Sequence, residues 1–405
     1  MTGQASAGRK LNVLQVCDHL GWEGSRMHGV KRLFAWMIPR FDAERYNVSL
    51  VSLRKKDLSE ETLESIGVDI TYLHKSKFDP ATLPALLKVI DRKKIDILHL
   101  HGYGATTFGR IAGAMRSLPT IVHEHANLTD TPWFQKIADT ALEPVTDIAI
   151  AVSKSTAEFV INARRIPPAK VKVVYLGVPL EEFSRPRSQG EIHAARAELG
   201  IARDDVAIGT VTRLHDSKGN AYLVDAARLV LNDRPNARFF IVGEGPLRES
   251  LEQQTRALNL GDRLTFAGFA KDIPRVLSAF DISVFPSLWE GTPLTVFEAL
   301  AMGKAIVATD ADGLIDVLTP EHDAIVVPKR NARVLADGLM RVIDEPATRE
   351  RLRAAAFETG KKYDIAAFVH KMERLYDLLH RVSRATKRKG VLVSDLSFLT
   401  GNAPV

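Results

Sequence analysis

The chain has 405 residues, 45% hydrophobic and 26% charged, with a formal net charge of +6. That length exceeds one comfortable core and points to two domains. No apolar run reaches the ~20 residues of a spanning helix, and residues 1–10 lack the apolar stretch of a secretory signal, so they read as a short disordered lead-in. Cys17 is the only cysteine, which excludes an internal disulfide and a thiolate zinc cluster. A reducing cytoplasm fits, and nucleic acid is not an expected partner.

Short apolar runs alternate with helical patterns along the chain, the signature of α/β domains with parallel sheets. The expected strands of the first half are Leu11–Cys17, with Cys17 a buried strand residue, then Tyr46–Leu53, Val68–Leu73, Asp96–His101, Thr120–His125, Asp147–Val152 and Val171–Leu176. Ser184–Gly190, rich in Pro, Arg, Ser and Gly, reads as an interdomain linker. A second series follows: Val206–Arg213, Arg238–Gly243, Arg263–Phe269, Asp281–Pro286, Ala305–Thr309 and Ala324–Val327. Phe368, Val369, Met372, Leu375, Tyr376 and Leu379 recur at helical spacing, so a last helix is expected over 366–383. The fold class is thus α/β, two Rossmann-like doubly wound parallel-sheet domains (11–184 and 185–365) facing across a cleft. Ligands of such sheets sit outside the carboxyl ends of the strands. The last helix is expected to pack back toward the first domain, and 384–405 to form a basic flexible tail.

The most specific segment is Phe285–Asp310, FPSLWEGTPLTVFEALAMGKAIVATD. A strand should end at Pro286 and a helix begin near Thr292-Pro293, with Thr292 as N-cap and Pro293 as first helical residue, where its missing N–H costs nothing. The free amides and dipole at such a helix start suit a diphosphate, and Gly291 permits close backbone approach. Glu290 and Glu298, with seven residues between them, can accept hydrogen bonds from two different sugar rings.

This stretch resembles the E-x7-E signature of the retaining "group 1" nucleotide-sugar glycosyltransferases. Gly291, Pro293, Glu298-Ala299-Leu300-Ala301-Met302-Gly303 and Val307-Ala308-Thr309 match in order. So do Arg196–Ile201, Ile208–Leu214, Ser217-Lys218-Gly219, Phe240–Pro246 and Leu264–Gly268. The resemblance implies the GT-B architecture, with an acceptor-side first domain and a donor-binding second domain. It implies that Glu290 reaches the transferred sugar and Glu298 the nucleotide ribose. Arg213 and Lys218 hold the diphosphate, Gly243 and Glu244 border the base, and Gly291, Thr292, Pro293 and Leu294 line the donor site. In the first domain His125 would contact the transferred sugar, with His123 second and His101 lining the cleft. The loop Asp18–Val30 resembles the family's glycine-rich loop, although His28 replaces one expected glycine and leaves Gly29 alone.

The implied reaction is hexosyl transfer from a UDP- or GDP-linked sugar to a carbohydrate or lipid-linked acceptor, as in cell-surface polysaccharide or glycolipid synthesis. As the glycosidic bond breaks, charge builds on the diphosphate, and Arg213, Lys218 and helix amides can stabilise it. No metal or cofactor is expected, since no Asp-x-Asp pair is expected at the matching strand end and four clustered histidines are better read as cleft lining than as a zinc site. A basic excess in residues 1–180 and in the tail fits peripheral contact with an anionic membrane or a phosphorylated acceptor, and equally a solvated surface with an untethered basic tail. Rival readings are a GT-B nucleotide-sugar epimerase and a non-catalytic nucleotide-sugar-binding scaffold. A nicotinamide dehydrogenase is disfavoured because no G-x-G-x-x-G follows the first strand.

Overall fold

The computed structural model describes residues 9–20, 29–56, 61–127, 132–386 and 396–400. Every apolar run expected as a strand forms one. The first domain holds β1 (Leu11–Cys17), β2 (Tyr46–Ser52), β3 (Ile70–Tyr72), β4 (Ile97–His101), β5 (Thr120–Glu124), β6 (Ile148–Ala151) and β7 (Val171–Val173). The second holds β8 (Val206–Val211), β9 (Ala237–Val242), β10 (Leu264–Gly268), β11 (Ile282–Phe285), β12 (Ala305–Thr309) and β13 (Ile325–Val327). Several strands stop a residue or two short of the apolar run. Leu53, His125, Val152, Arg213 and Pro286 lie just past a strand end, where the backbone turns out of the ladder.

The two sheets have the orders β3-β2-β1-β4-β5-β6-β7 and β10-β9-β8-β11-β12-β13, and all the pairings are parallel. Helices cover both faces, so central strands such as β4 and β12 are buried at every residue. Strand order reverses between β1 and β4, and again between β8 and β11, which opens a crevice at the carboxyl ends of those strands.

The chain crosses between domains twice at one place. The Val178 amide donates to Tyr363 O and the Ile365 amide to Val178 O, both at 3.0 Å. From there the helix Ile365–Thr386 lies across the first domain with Phe368, Met372, Leu375, Tyr376 and Leu379 buried. Its Glu373 accepts the Asp42 amide at 2.8 Å, and Phe41 stacks on Tyr376.

Two boundaries differ from expectation. Ser188 and Glu191 form a reciprocal capping box, so the linker is already helical from Gln189. The expected free tail does not hold for 396–400: Ser397–Thr400 is a short helix with Leu396 and Leu399 buried against the main core. The remainder of 387–405 lies outside the described residues.

Candidate active site

A cavity of about 510 Å³ opens at the switch points of the two sheets. From the second domain it is lined by the loop after β8 and the loop after β11. From the first domain come His125–Asn127 after β5 and Gly29, Val30, Arg32 and Leu33 at the start of the helix Gly29–Met37. Of the residues singled out from sequence, Gly29, His125, Arg213, Lys218, Glu290, Gly291, Thr292, Pro293 and Leu294 all border it.

After β8 the chain passes Arg213 and makes one tight turn, Asp216–Lys218, before the helix Asn220–Asp233. Gly219 has φ +61, and a Cβ there would stand 1.9 Å from the Pro286 carbonyl, so only glycine lets this turn seat against the β11 loop. The Leu288 amide donates to Ser217 O at 2.8 Å and locks the two loops together. That contact brings Lys218 to Glu290: Nζ lies 2.6 Å from Oε2, and Ser287 Oγ donates to Oε1 at 2.8 Å. Arg213 lies beside them, its guanidinium pushed down by burial and partly restored by Glu290.

The helix after β11 begins one or two residues later than expected. Leu294 is its first residue and Pro293, at ψ 131, occupies the cap position. Thr292 does not cap the helix. Its hydroxyl lies between two carbonyls, Gly291 O at 2.6 Å and, across the domain boundary, Val152 O at 3.1 Å. Gly291 makes the same approach possible, since a Cβ there would meet His125 O at 2.2 Å.

Other expected site residues do not reach the cavity. Glu298 is fully buried and ion-paired with Arg32 of the first domain; burial raises its pKa, and Arg32 lowers it. Gly243 and Glu244 follow β9 and hold the β8 loop from behind, where Glu244 O accepts the Leu214 amide at 2.9 Å. His123 and His101 are buried behind His125. Residues 21–28 of the loop Asp18–Val30, His28 included, lie outside the described residues.

Nitrogens of His99, His101 and His123 lie within 4.8 Å of one another, close enough to suggest a metal. The rings do not suit one. Neighbours along each strand are stacked, His99 on His101 at 4.5 Å and His123 on His125 at 4.3 Å. Neighbours across strands are hydrogen-bonded edge to edge, His99 to His123 and His101 to His125. Stacked rings hold their lone pairs in parallel planes rather than aiming them at one point. The Asp-x-Asp that does follow a strand, Asp310-Ala311-Asp312 after β12, faces Lys329: Asp310 Oδ1 accepts its amide at 2.8 Å, and Asp312 lies 3.4 Å from its Nζ.

Sequence reasoning missed Arg32, which occupies Glu298, and Ser287, which orients Glu290. Ser287 stands three residues before Glu290, just past a buried strand, and that spacing was the available signal.

With this geometry in place, the comparisons decide the family. The profile described as "Glycosyl transferases group 1" matches residues 191–359, and that of "Glycosyltransferase Family 4" matches residues 27–182. The chain belongs to the group 1 glycosyltransferases. Among curated relatives of this glycosyltransferase, the UDP-Gal:alpha-D-GlcNAc-diphosphoundecaprenol alpha-1,3-galactosyltransferase of Escherichia coli is 27% identical over 308 residues, covering 74% of this chain and 79% of that protein. The alpha-D-kanosaminyltransferase of Streptomyces kanamyceticus is 28% identical over 302 residues, 69% and 75% of the two chains. Among solved structures, Anabaena HepE in complex with UDP superposes with a TM-score of 0.77 at 19% identity, covering 91% of this chain and all of HepE. At that identity the likeness establishes the fold, the GT-B pair of Rossmann-like domains.

Proposed function

We propose that this glycosyltransferase moves a hexosyl residue from a UDP- or GDP-linked sugar to a carbohydrate or lipid-linked acceptor, with retention at the anomeric carbon and without a metal. The observation that carries the reading is the convergence of Arg213, Lys218, Glu290 and the start of the helix Leu294–Ala301 on one cavity, with His125 on the facing wall. The E. coli relative, by its name, uses UDP-galactose and a diphosphoundecaprenol-linked acceptor. That supports a lipid-linked acceptor and a place in cell-surface glycan synthesis.

Arg213, Lys218 and the amides at Leu294 and Thr295 take the diphosphate, supplying fixed positive charge where the leaving group develops its negative charge. A carboxylate has about four lone-pair sites. Lys218 and Ser287 occupy part of that capacity on Glu290, and the rest is left for sugar hydroxyls. In the transfer, the bond from the anomeric carbon to the diphosphate oxygen breaks and the acceptor oxygen bonds the same face. The acceptor proton passes to the departing phosphate oxygen. Glu298 is fully buried and pairs with Arg32 through Oε1, so in this scheme a ribose reaches it only when the packing against the Gly29–Met37 helix opens, which couples donor binding to movement of that helix.

The basic excess supports peripheral contact with an anionic surface on the cytoplasmic side. No helix among the described residues is long and apolar enough to cross a membrane. The direct test is a panel of nucleotide sugars read by thermal shift, since a ligand that binds the folded state stabilises it by mass action. Product NMR with and without EDTA follows. Retained anomeric configuration and EDTA insensitivity are expected; an inverted product or loss of activity in EDTA would overturn the respective claim.

A further inference from the structure

His125 is one end of a hydrogen-bonded chain that runs away from the cavity through the first domain. Its Nε2 lies 2.8 Å from Nδ1 of His101, and Nε2 of His101 lies 2.8 Å from Oε1 of Gln15. Gln15, on β1, donates from Nε2 to the Tyr376 hydroxyl at 2.9 Å. That hydroxyl lies 2.8 Å from Nδ1 of His99, whose Nε2 is 3.1 Å from Nδ1 of His123. Gln15, His99, His101, His123 and Tyr376 are all buried, and none of them borders the cavity.

Proton placement follows from one amide. A neutral imidazole has one N–H and one bare nitrogen. The Gln15 oxygen can only accept, so His101 carries its proton on Nε2 and its Nδ1 is bare. That bare nitrogen requires a donor, which is Nε2–H of His125, and Nδ1 of His125 is left as an acceptor. On the other branch the Tyr376 oxygen accepts from Gln15 and gives its own proton to Nδ1 of His99. Nε2–H of His99 then donates to Nδ1 of His123. The chain ends on Nε2 of His123, buried and without a partner. Each junction has one proton and one acceptor, and turning the Gln15 amide would reverse all of them. Burial keeps all four imidazoles neutral near pH 7, holding each well below its ordinary range.

We propose that Gln15 and Tyr376 are positioning residues that fix His125 in the Nε2–H tautomer, so that it offers an acceptor nitrogen to a hydroxyl of the transferred sugar. This deepens the proposed function and rests on its reading that His125 faces the donor sugar. It also gives the return crossing a part in sugar selection, because Tyr376 sits on the helix Ile365–Thr386 that follows the second domain. A donor hydroxylated at that position should be preferred over its deoxy analogue.

The test is long-range ¹⁵N–¹H NMR of the full-length protein with labelled histidine at pH 7.5, where bare and protonated ring nitrogens separate; His125→Asn assigns the signals. The wild type should show His125 protonated on Nε2. Gln15→Glu should keep that tautomer, because a carboxylate still accepts from His101. Gln15→Met should give both tautomers. Tyr376→Phe leaves the Gln15 NH₂ without its acceptor, so the amide should turn and move the His125 proton to Nδ1. In Gln15→Met, kcat/KM for the nucleotide sugar should fall about five- to tenfold, the scale of one hydrogen bond, while calorimetric affinity for its nucleoside diphosphate, UDP or GDP, is unchanged. A wild-type proton on Nδ1, or tautomers unmoved in both Gln15→Met and Tyr376→Phe, overturns the positioning claim. Tautomers that move with no change in kcat/KM overturn its link to the sugar. If neither UDP nor GDP binds any form of the protein, the donor-site reading fails, and the spectra still decide the positioning claim. Should Gln15→Met not fold, the isosteric Tyr376→Phe reads the same question.

Discussion

Lys218 and Glu290 neutralise each other in a cavity wall, and that pairing sets what each can do. The ammonium spends donors on the carboxylate and keeps capacity for a phosphate oxygen, while the carboxylate is held still by Lys218 and Ser287. Lys218→Met should lower kcat by about 10²-fold, the usual cost of removing a donor aimed at developing charge. Its effect on the melting temperature should be modest, because Glu290 keeps the Ser287 hydroxyl and lies at a cavity wall. Steady-state kinetics beside calorimetry checks both halves. The histidine block carries a pH signature. Burial lowers His125 to about 4 and His99 to about 3, against about 6.5 for a free imidazole. Between those limits the unfolded chain binds protons that the folded chain refuses, so stability is fully present above pH 6.5 and is lost as pH falls toward 4. Urea melts at pH 7.5 and 5.0 should show a clear loss, reduced in a His99→Gln variant; equal stabilities at the two pH values would contradict the neutral block. How Lys218 and His125 are deployed was legible in part. Their types and places after strands announced a polar site. That Lys218 would spend itself on Glu290, and that Arg32 would occupy Glu298, depends on approaches between residues far apart in sequence, which local pattern does not encode.

At the scale of elements the sequence was easier to read. Parallel strands buried on both faces need unbroken apolar runs, and Leu11–Cys17 and Ala305–Thr309 were recognised to the residue for that reason. Strand ends at the cleft were harder, since His125 and Arg213 continue the apolar or polar alternation while the backbone has already left the ladder. Thr292-Pro293 matched two helix-start rules, yet the threonine hydroxyl turned to the carbonyls of Gly291 and, across the domain boundary, Val152, and the helix began at Leu294. Gly291 is the element-level hinge of this contact. A Cβ would stand 2.2 Å from His125 O, so Gly291→Ala should push the loop off the first domain. A drop in kcat/KM of tenfold or more is expected, with both domains still folded by circular dichroism. Wild-type kinetics in that variant would mean that the loop does not seat against His125 in the working enzyme.

Across the whole molecule, two sets of long-range polar contact add to an apolar core that spans both domains. One is internal to the first domain: Asp139, fully buried, sits between Arg110 and Arg164, and Arg164 also pairs with Glu124. Removing one partner strands the others, so Asp139→Ala should cost about 3–5 kcal/mol in chemical denaturation. The second joins the domains through Arg32–Glu298, Thr292–Val152 and the Asp316 carboxylate at the Lys154 amide. The buried leucines 396 and 399 change how a membrane role must be tested. Truncation at 384 would damage the core, whereas neutralising Lys387, Arg388 and Lys389 to Gln should weaken binding to anionic vesicles and spare donor binding. The central claim is that a leaving diphosphate is held by Arg213, Lys218 and the start of the helix Leu294–Ala301. Calorimetry with UDP, GDP and their nucleosides on wild type, Arg213→Gln and Lys218→Met tests it most directly. Binding of a nucleoside diphosphate but not its nucleoside, weakened at least about tenfold by each substitution with the protein still folded at the assay temperature, is the expected result. Equal affinities across the three proteins would contradict the account.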